Sequence, residues 1–254
     1  MYWKESICKT SGWIACGTVL GLSLLLSACG SSDKDSAMDI EQSSIEMSVL
    51  GQYQSGIFVA SAAEIVSYDP VSQRAFVINA ASGEVDILDL SSPENPTKIS
   101  SIVVSNLGGD ANSVTVKNEI VAIAVEAAVK TDNGFVAFYD TAGTRLNVVD
   151  AGALPDALTF SPDGRYVLVA NEGEPASDYS IDPEGSVTII DLTNGVLNPV
   201  VSNADFQAFN GREDELRTQD IRIFGPGASA AQDFEPEWVE ISADSRTAYV
   251  SFLE

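Results

Sequence analysis

DALTFSPDGRYVLVANE, residues 156–172, reads as two short β-strands joined by a tight turn. Asp156–Phe160 and Tyr166–Asn171 are rich in β-branched and aromatic residues, and Ser161-Pro162-Asp163-Gly164 between them is turn chemistry. Proline presets φ at the second turn position, and glycine accepts the left-handed backbone at the fourth. The first strand opens on an acid and the second ends at Asn171-Glu172.

The same pair recurs along the chain. Tyr166–Glu172 has counterparts at Ile120–Glu126, Arg74–Asn79 and Ala248–Glu254. Each is preceded by a shorter strand, at Glu64–Tyr68, Asn112–Val116 and Glu237–Ile241. A third strand ends in aspartate each time, at Val85–Asp89, Phe135–Asp140 and Val187–Asp191. Glu126 and Glu172 lie 46 residues apart, and Asp89, Asp140 and Asp191 follow at intervals of 51. A fixed period of about 40–50 residues is that of four-stranded propeller blades. A β-sandwich would leave that period unexplained. The expected fold is therefore all-β, a β-propeller of four-stranded blades, with one mostly non-β insert at about 202–235. The repeats amount to about three and a half blades, fewer than closed propellers use, so the chain reads as an incomplete, C-terminally truncated propeller.

Composition narrows the chemistry. The 254 residues include 13 Lys+Arg, 37 Asp+Glu and no histidine, for a formal charge of −24. Nucleic acid is excluded as a partner, because phosphates need a basic surface. Without histidine there is no Ser-His-Asp or Cys-His nucleophile pair and no imidazole metal site. A hydrophobic content of 45% is ample for a folded core.

Residues 1–28 read as a secretory signal, with Lys4 and Lys9 ahead of an apolar run from Trp13 to Leu26. The following Leu26-Ser27-Ala28-Cys29 resembles the bacterial lipobox, in which the cysteine is lipidated. Gly30, rather than aspartate, then points to the outer membrane by resemblance to the usual sorting rule. Cys8 and Cys16 leave with the signal, so the exported chain carries no free thiol. Residues 29–50 read as a lipidated cysteine and a flexible acidic tether, and 51–254 as the propeller domain. An acidic surface is repelled by anionic headgroups, so the lipid is the expected membrane contact.

Longer motifs occur in one order: Tyr53–Phe58, Ala63–Asp69, Leu154-Pro155-Asp156, Asn171-Glu172-Gly173-Glu174-Pro175, Asp182–Ser186, Arg222–Pro226 and Gln232–Glu237. Together they resemble the choice-of-anchor I family, related to the mesenchyme-specific cell-surface glycoproteins of animals. The resemblance implies a secreted or surface-anchored WD40/YVTN-like propeller, and some relatives are labelled alkaline phosphatase-like.

Antiparallel blade strands put the start of each first strand and the end of each second strand on one face. Glu64, Glu126, Asp156, Glu172, Glu174 and Glu237 are the expected oxygen ligands gathered there. So many carboxylates repel unless a hard cation neutralises them, and Ca²⁺ suits oxygen ligands best. The alternative is that these acids only cap turns, which is the better reading of Asp89, Asp140 and Asp191. No organic cofactor is indicated. Two functions follow: a surface-anchored, Ca²⁺-organised binding or scaffold module for an extracellular or periplasmic protein, glycan or ion, or a metal-dependent phosphoesterase. The second needs cations near phosphate, for which only Arg212, Arg217 and Arg222 in the insert offer themselves.

Overall fold

The computed structural model describes residues 46–58 and 62–252. The signal segment, Cys29, most of the 29–50 tether and the terminal Glu254 lie outside the described residues.

Blade 1 consists of β1 (Val66–Asp69), β2 (Arg74–Asn79), β3 (Glu84–Asp89) and β4 (Thr97–Ile102). Blade 2 consists of β5 (Ala111–Lys117), β6 (Ile120–Val125), β7 (Asn133–Asp140) and β8 (Arg145–Ala153). Blade 3 consists of β9 (Pro155–Phe160), β10 (Tyr166–Asn171), β11 (Ser186–Asp191) and β12 (Val200–Asp205). Each is a four-stranded antiparallel sheet paired in sequence order. A fourth sheet contains β13 (Pro236–Ile241) and β14 (Ala248–Phe252). The first strands adjoin one another in turn, β1 on β5, β5 on β9 and β9 on β13. This is the inner arc of a β-propeller with three complete blades and two strands of a fourth.

The core lies between blades rather than inside one sheet. Phe76, Ile78, Val85 and Ile87 of blade 1 meet Val121, Ile123 and Val125 of blade 2. Ala122, Ala124, Val136 and Phe138, on the opposite face of blade 2, meet Val167, Val169 and Ile190 of blade 3. A middle strand is thus covered on both faces, which is why Ile120–Val125 is an unbroken apolar run without polar alternation. Burying a side chain such as Phe138, with no exposed surface, contributes about 2–3 kcal/mol. The outermost strands β4 and β12 face water along most of their length and carry little apolar pattern.

Turn chemistry explains the recurring acids at blade edges. The Asp140 carboxylate accepts from the Ala142 and Thr144 N–H groups at 2.9 and 2.7 Å. Asp89 caps Ser91 and Asp191 caps Thr193 in the same way, both at 2.8 Å. In blades 3 and 4, Ser161 donates to Asp163 and Ser242 donates to Asp244, each at 2.6 Å. These aspartates are structural.

The insert differs from expectation at its start. Residues up to Asp205 belong to β12, so the non-strand stretch begins at 206 rather than about 202. Val201 pairs with Ile190, and Val196–Pro199 forms the preceding turn. The insert contains two short helices, α1 (Glu213–Arg217) and α2 (Ala230–Asp233). The Asn210 Oδ1 accepts from the Ala231 N–H at 2.9 Å and ties the two halves of the insert together. Among the described residues, no helix is long and apolar enough to cross a membrane.

Candidate functional site

Three first strands begin with the same irregularity. The ladder skips from Ala111↔Val125 to Ser113↔Ala124 in blade 2, leaving Asn112 as the extra residue of a bulge. Asp156 holds that position in blade 3, and Glu237 in the fourth sheet. A bulge leaves one residue unpaired and re-aims its side chain. In the last two cases the residue before the proline has positive φ, Leu154 at 48° and Glu235 at 39°. Residues before proline normally sit in the extended region, so both positions are strained. The bulges leave Asp156 and Glu237 out of the ladder, and the two carboxylates interact with each other.

The acids placed there interact across blades. Burial pushes the Asp156 carboxyl up to about 6, and the charges of Glu237 and Glu64 add to the rise. Burial likewise raises Glu172 to about 7, helped by Asp156, Glu174, Glu237 and Glu235. Four of the expected ligands, Glu64, Asp156, Glu172 and Glu237, therefore share one electrostatic neighbourhood at the channel mouth. Glu174 adjoins them, but its carboxylate is held by Lys130 at 2.5 Å. Glu126 belongs to a second neighbourhood. Its pKa is raised by burial and then by Asp110, while hydrogen bonds from the Asp110 backbone and the Asn112 side chain oppose the rise. Among the described residues no three carboxylates stand close enough together to hold one ion, so a cation would have to draw side chains inward.

Beside the mouth lies a cleft of about 330 Å³, walled by the β10–β11 loop on one side and the insert on the other. Its lining includes Glu172, Glu174, Asp182, Asp233 and Glu235, with Pro175, Tyr179 and Phe224. The insert is fastened here from its own side chains. Asp233 is buried and accepts from the Phe224 and Gly225 N–H groups at 2.8 and 2.7 Å. Gln232 donates to the Asp182 carbonyl at 2.8 Å and also completes the capping box with Ser229. Glu184 accepts from Gln207 at 2.6 Å, and the Gly185 N–H donates to the Ala231 carbonyl at 2.9 Å. Gly185 must be glycine, because a Cβ there would stand 2.4 Å from Pro236 Cδ. Motifs separated by up to sixty residues in sequence thus meet around one cleft.

The insert arginines are engaged locally. Arg212 forks onto Glu215 at 3.0 and 2.9 Å. Arg217 donates to the Ile223 carbonyl at 2.7 Å and to Asp214 at 3.0 Å. Arg222 lies 5.5 Å from the Phe224 ring centre. The cation that does reach the mouth, Lys130, comes from the β6–β7 loop and was not singled out by sequence reasoning. Neither was Asp110, and Asp182 and Glu235 stood only inside the quoted motifs Asp182–Ser186 and Gln232–Glu237. Lys130 follows Glu126 by four residues in a loop whose face was already assigned, and that parity is the signal that could have found it.

A family model described as the choice-of-anchor I domain matches residues 64–254. None of the curated proteins matches. Among solved structures, a protein from Lactobacillus plantarum aligns with 15% identity and a TM-score of 0.48, covering 74% of this chain and 50% of that one. A putative 6-phosphogluconolactonase from Bacteroides uniformis aligns with 11% identity and a TM-score of 0.48, covering 74% and 46%. A luciferin-regenerating enzyme aligns with 17% identity and a TM-score of 0.41, covering 49% and 43%. The chain thus spans half or less of the length of these structures, and the activities in their names belong to those proteins.

Proposed function

The chain belongs to the choice-of-anchor I family, and from that premise we propose that it is a lipid-anchored binding module whose channel mouth is organised by Ca²⁺. The observation that supports this reading is the set of bulge acids. Asp156 and Glu237 sit on bulges outside the strand ladder, where Asp156 feels the charges of Glu64 and Glu237 and Glu172 those of Asp156 and Glu237. Burial, and then the neighbouring charges, make Asp156 and Glu172 hold their protons up to about pH 6 and 7 unless a cation replaces them. A hard divalent ion with oxygen ligands relieves that repulsion, and Ca²⁺ tolerates the flexible geometry such side chains offer.

Binding is favoured over phosphoester hydrolysis because the arginines are committed to the insert's own groups, and Lys130 is committed to Glu174. A phosphate would find few donors at this mouth.

Calorimetric titration of the chelator-stripped full chain is expected to show Ca²⁺ binding with Kd of about 10⁻⁴ to 10⁻³ M, as in extracellular modules. The Asp156→Asn/Glu172→Gln variant should give no binding heat. Heat that persists unchanged in that variant moves the ion elsewhere, and no heat in the parent leaves the acids without a cation. The anchor has its own test. Metabolic labelling with a fatty-acid probe in a bacterial host should mark the parent and leave Cys29→Ala unmarked. Equal labelling of both removes the lipid assignment.

A further inference from the structure

Tyr179 and Phe224 stand on the walls of the acidic cleft with 56% and 62% of their surfaces exposed. Other phenylalanines of the same region are packed together, Phe234 against Phe206 at 5.7 Å and against Phe252 at 5.0 Å. Two large aromatics left in water on a concave, charged surface mark a contact surface rather than a core defect. The Phe224 ring already carries one guanidinium, that of Arg222. Its surroundings therefore suit a planar cation stacked on the ring.

The carboxylates set the size of what fits. Among the described residues no three of them converge on a single ion. Glu172 and Asp182 are distributed along the cleft, Asp233 is spent on backbone N–H groups, and Glu174 is spent on Lys130. A space of about 330 Å³ with separated acids and aromatic walls is too wide for a bare-ion cage. It matches a side chain that is flat, carries five N–H donors and stacks on rings. The whole chain carries a formal charge of −24, which excludes an acidic partner and steers a basic one.

We propose that this cleft binds an arginine side chain presented by a basic polypeptide partner, the guanidinium stacking between Tyr179 and Phe224 and donating to Glu172 and Asp182. This rests on the binding-module reading and names the partner chemistry for it. The channel-mouth cation and the cleft arginine are separate ligands that meet at Glu172.

The test is fluorescence anisotropy on the full chain in 0.15 M salt, with a labelled Gly-Ser-Arg-Ser-Arg-Ser-Gly peptide and its citrulline counterpart. Citrulline keeps the shape and removes the charge. The arginine peptide should bind at least about tenfold more tightly, and Tyr179→Ala/Phe224→Ala should weaken it by about tenfold or more. Both residues are exposed, so an unchanged unfolding midpoint confirms that the variant is folded. Glu172→Gln/Asp182→Asn should weaken peptide binding comparably, and Glu94→Gln/Glu119→Gln, an equal charge change in exposed turns at the other end of the strands, should bind like the parent. Equal affinity for the citrulline peptide, no effect of removing the aromatics, or an equal loss in the control pair each overturns the proposal. The parent chain separates the two readings: arginine-peptide binding with no Ca²⁺ response sinks the cation reading alone, and a Ca²⁺ response without arginine preference sinks this one alone.

Discussion

Replacing Lys98 with methionine lowers the unfolding free energy by about 3 kcal/mol, the low end for stripping a partner from a buried charge. Asp86 is 4% exposed on β3, and its carboxylate takes Lys98 at 2.7 Å, Ser101 at 3.0 Å and Asn79 at 3.3 Å. The Lys98 ammonium is correspondingly held charged, its pKa raised first by the hydrogen bond to Asp86. Without it a buried carboxylate keeps only two neutral donors. The value sits at the low end because the Lys98 side chain is 35% exposed and water partly replaces it. Blade 3 supplies the internal control. Thr188 occupies the place of Asp86, and Asn171 donates to it at 2.8 Å with no lysine involved. Adding Asp86→Thr to Lys98→Met should therefore recover most of the loss, about 2 kcal/mol. Urea unfolding of the parent, both single variants and the double variant closes the cycle. Additive losses would mean that the pair is not coupled.

The Asp156→Asn/Glu172→Gln variant is expected to be more stable than the parent at pH 8 and equal to it at pH 4. In the folded chain Asp156 titrates at about 6 and Glu172 at about 7, against ordinary values of 3.8 and 4.5. A carboxyl whose pKa is raised by folding holds its proton more tightly in the folded state. Its stabilising contribution is full below the unfolded value and is lost as pH rises through the folded one, here between about pH 4 and 7. Both groups are partly solvated, so the gain at pH 8 is discounted to about 1–2 kcal/mol. Urea midpoints at pH 4, 6 and 8 in the presence of chelator measure it. Parallel pH profiles for parent and variant would show that neither burial nor neighbouring charge raises these two carboxyls in the folded chain.

Much of this architecture is legible in the residues. Middle strands such as Ile120–Val125 are apolar throughout because neighbouring blades cover both faces, and Pro-Asp-Gly turns mark where the chain reverses. The end of the outer strand β12 fell inside the expected insert because Val200–Asp205 faces water and carries no burial pattern. Strand parity alone sufficed to bring Glu64, Asp156, Glu172 and Glu237 to one mouth. It did not reveal that Asp156 and Glu237 sit on bulges, since a bulge depends on register with the partner strand rather than on composition. Nor did it separate Glu126, whose neighbours Asp110 and Asn112 precede it in space but not in any motif. Parity also brings the β10–β11 loop and the insert to this mouth, but the cleft between them was not legible, because it rests on how the insert docks, through hydrogen bonds that Asn210 and Asp233 accept and Gln232 donates.

Asn112, Asp156 and Glu237 occupy equivalent places outside the strand ladders. Asp156 and Glu237 can change identity without disturbing strand register, whereas Asn112 also donates from Nδ2 to the Pro155 carbonyl at 3.1 Å and so links blade 2 to blade 3. Blades 3 and 4 therefore each contribute one substitutable letter to the mouth, and blade 2 a letter that carries an inter-blade bond. Stepping Asp156 to asparagine, or Glu237 to glutamine, alters the mouth by one charge at a time. Ligand preference at such a mouth can drift by single-codon changes while the fold is inherited intact.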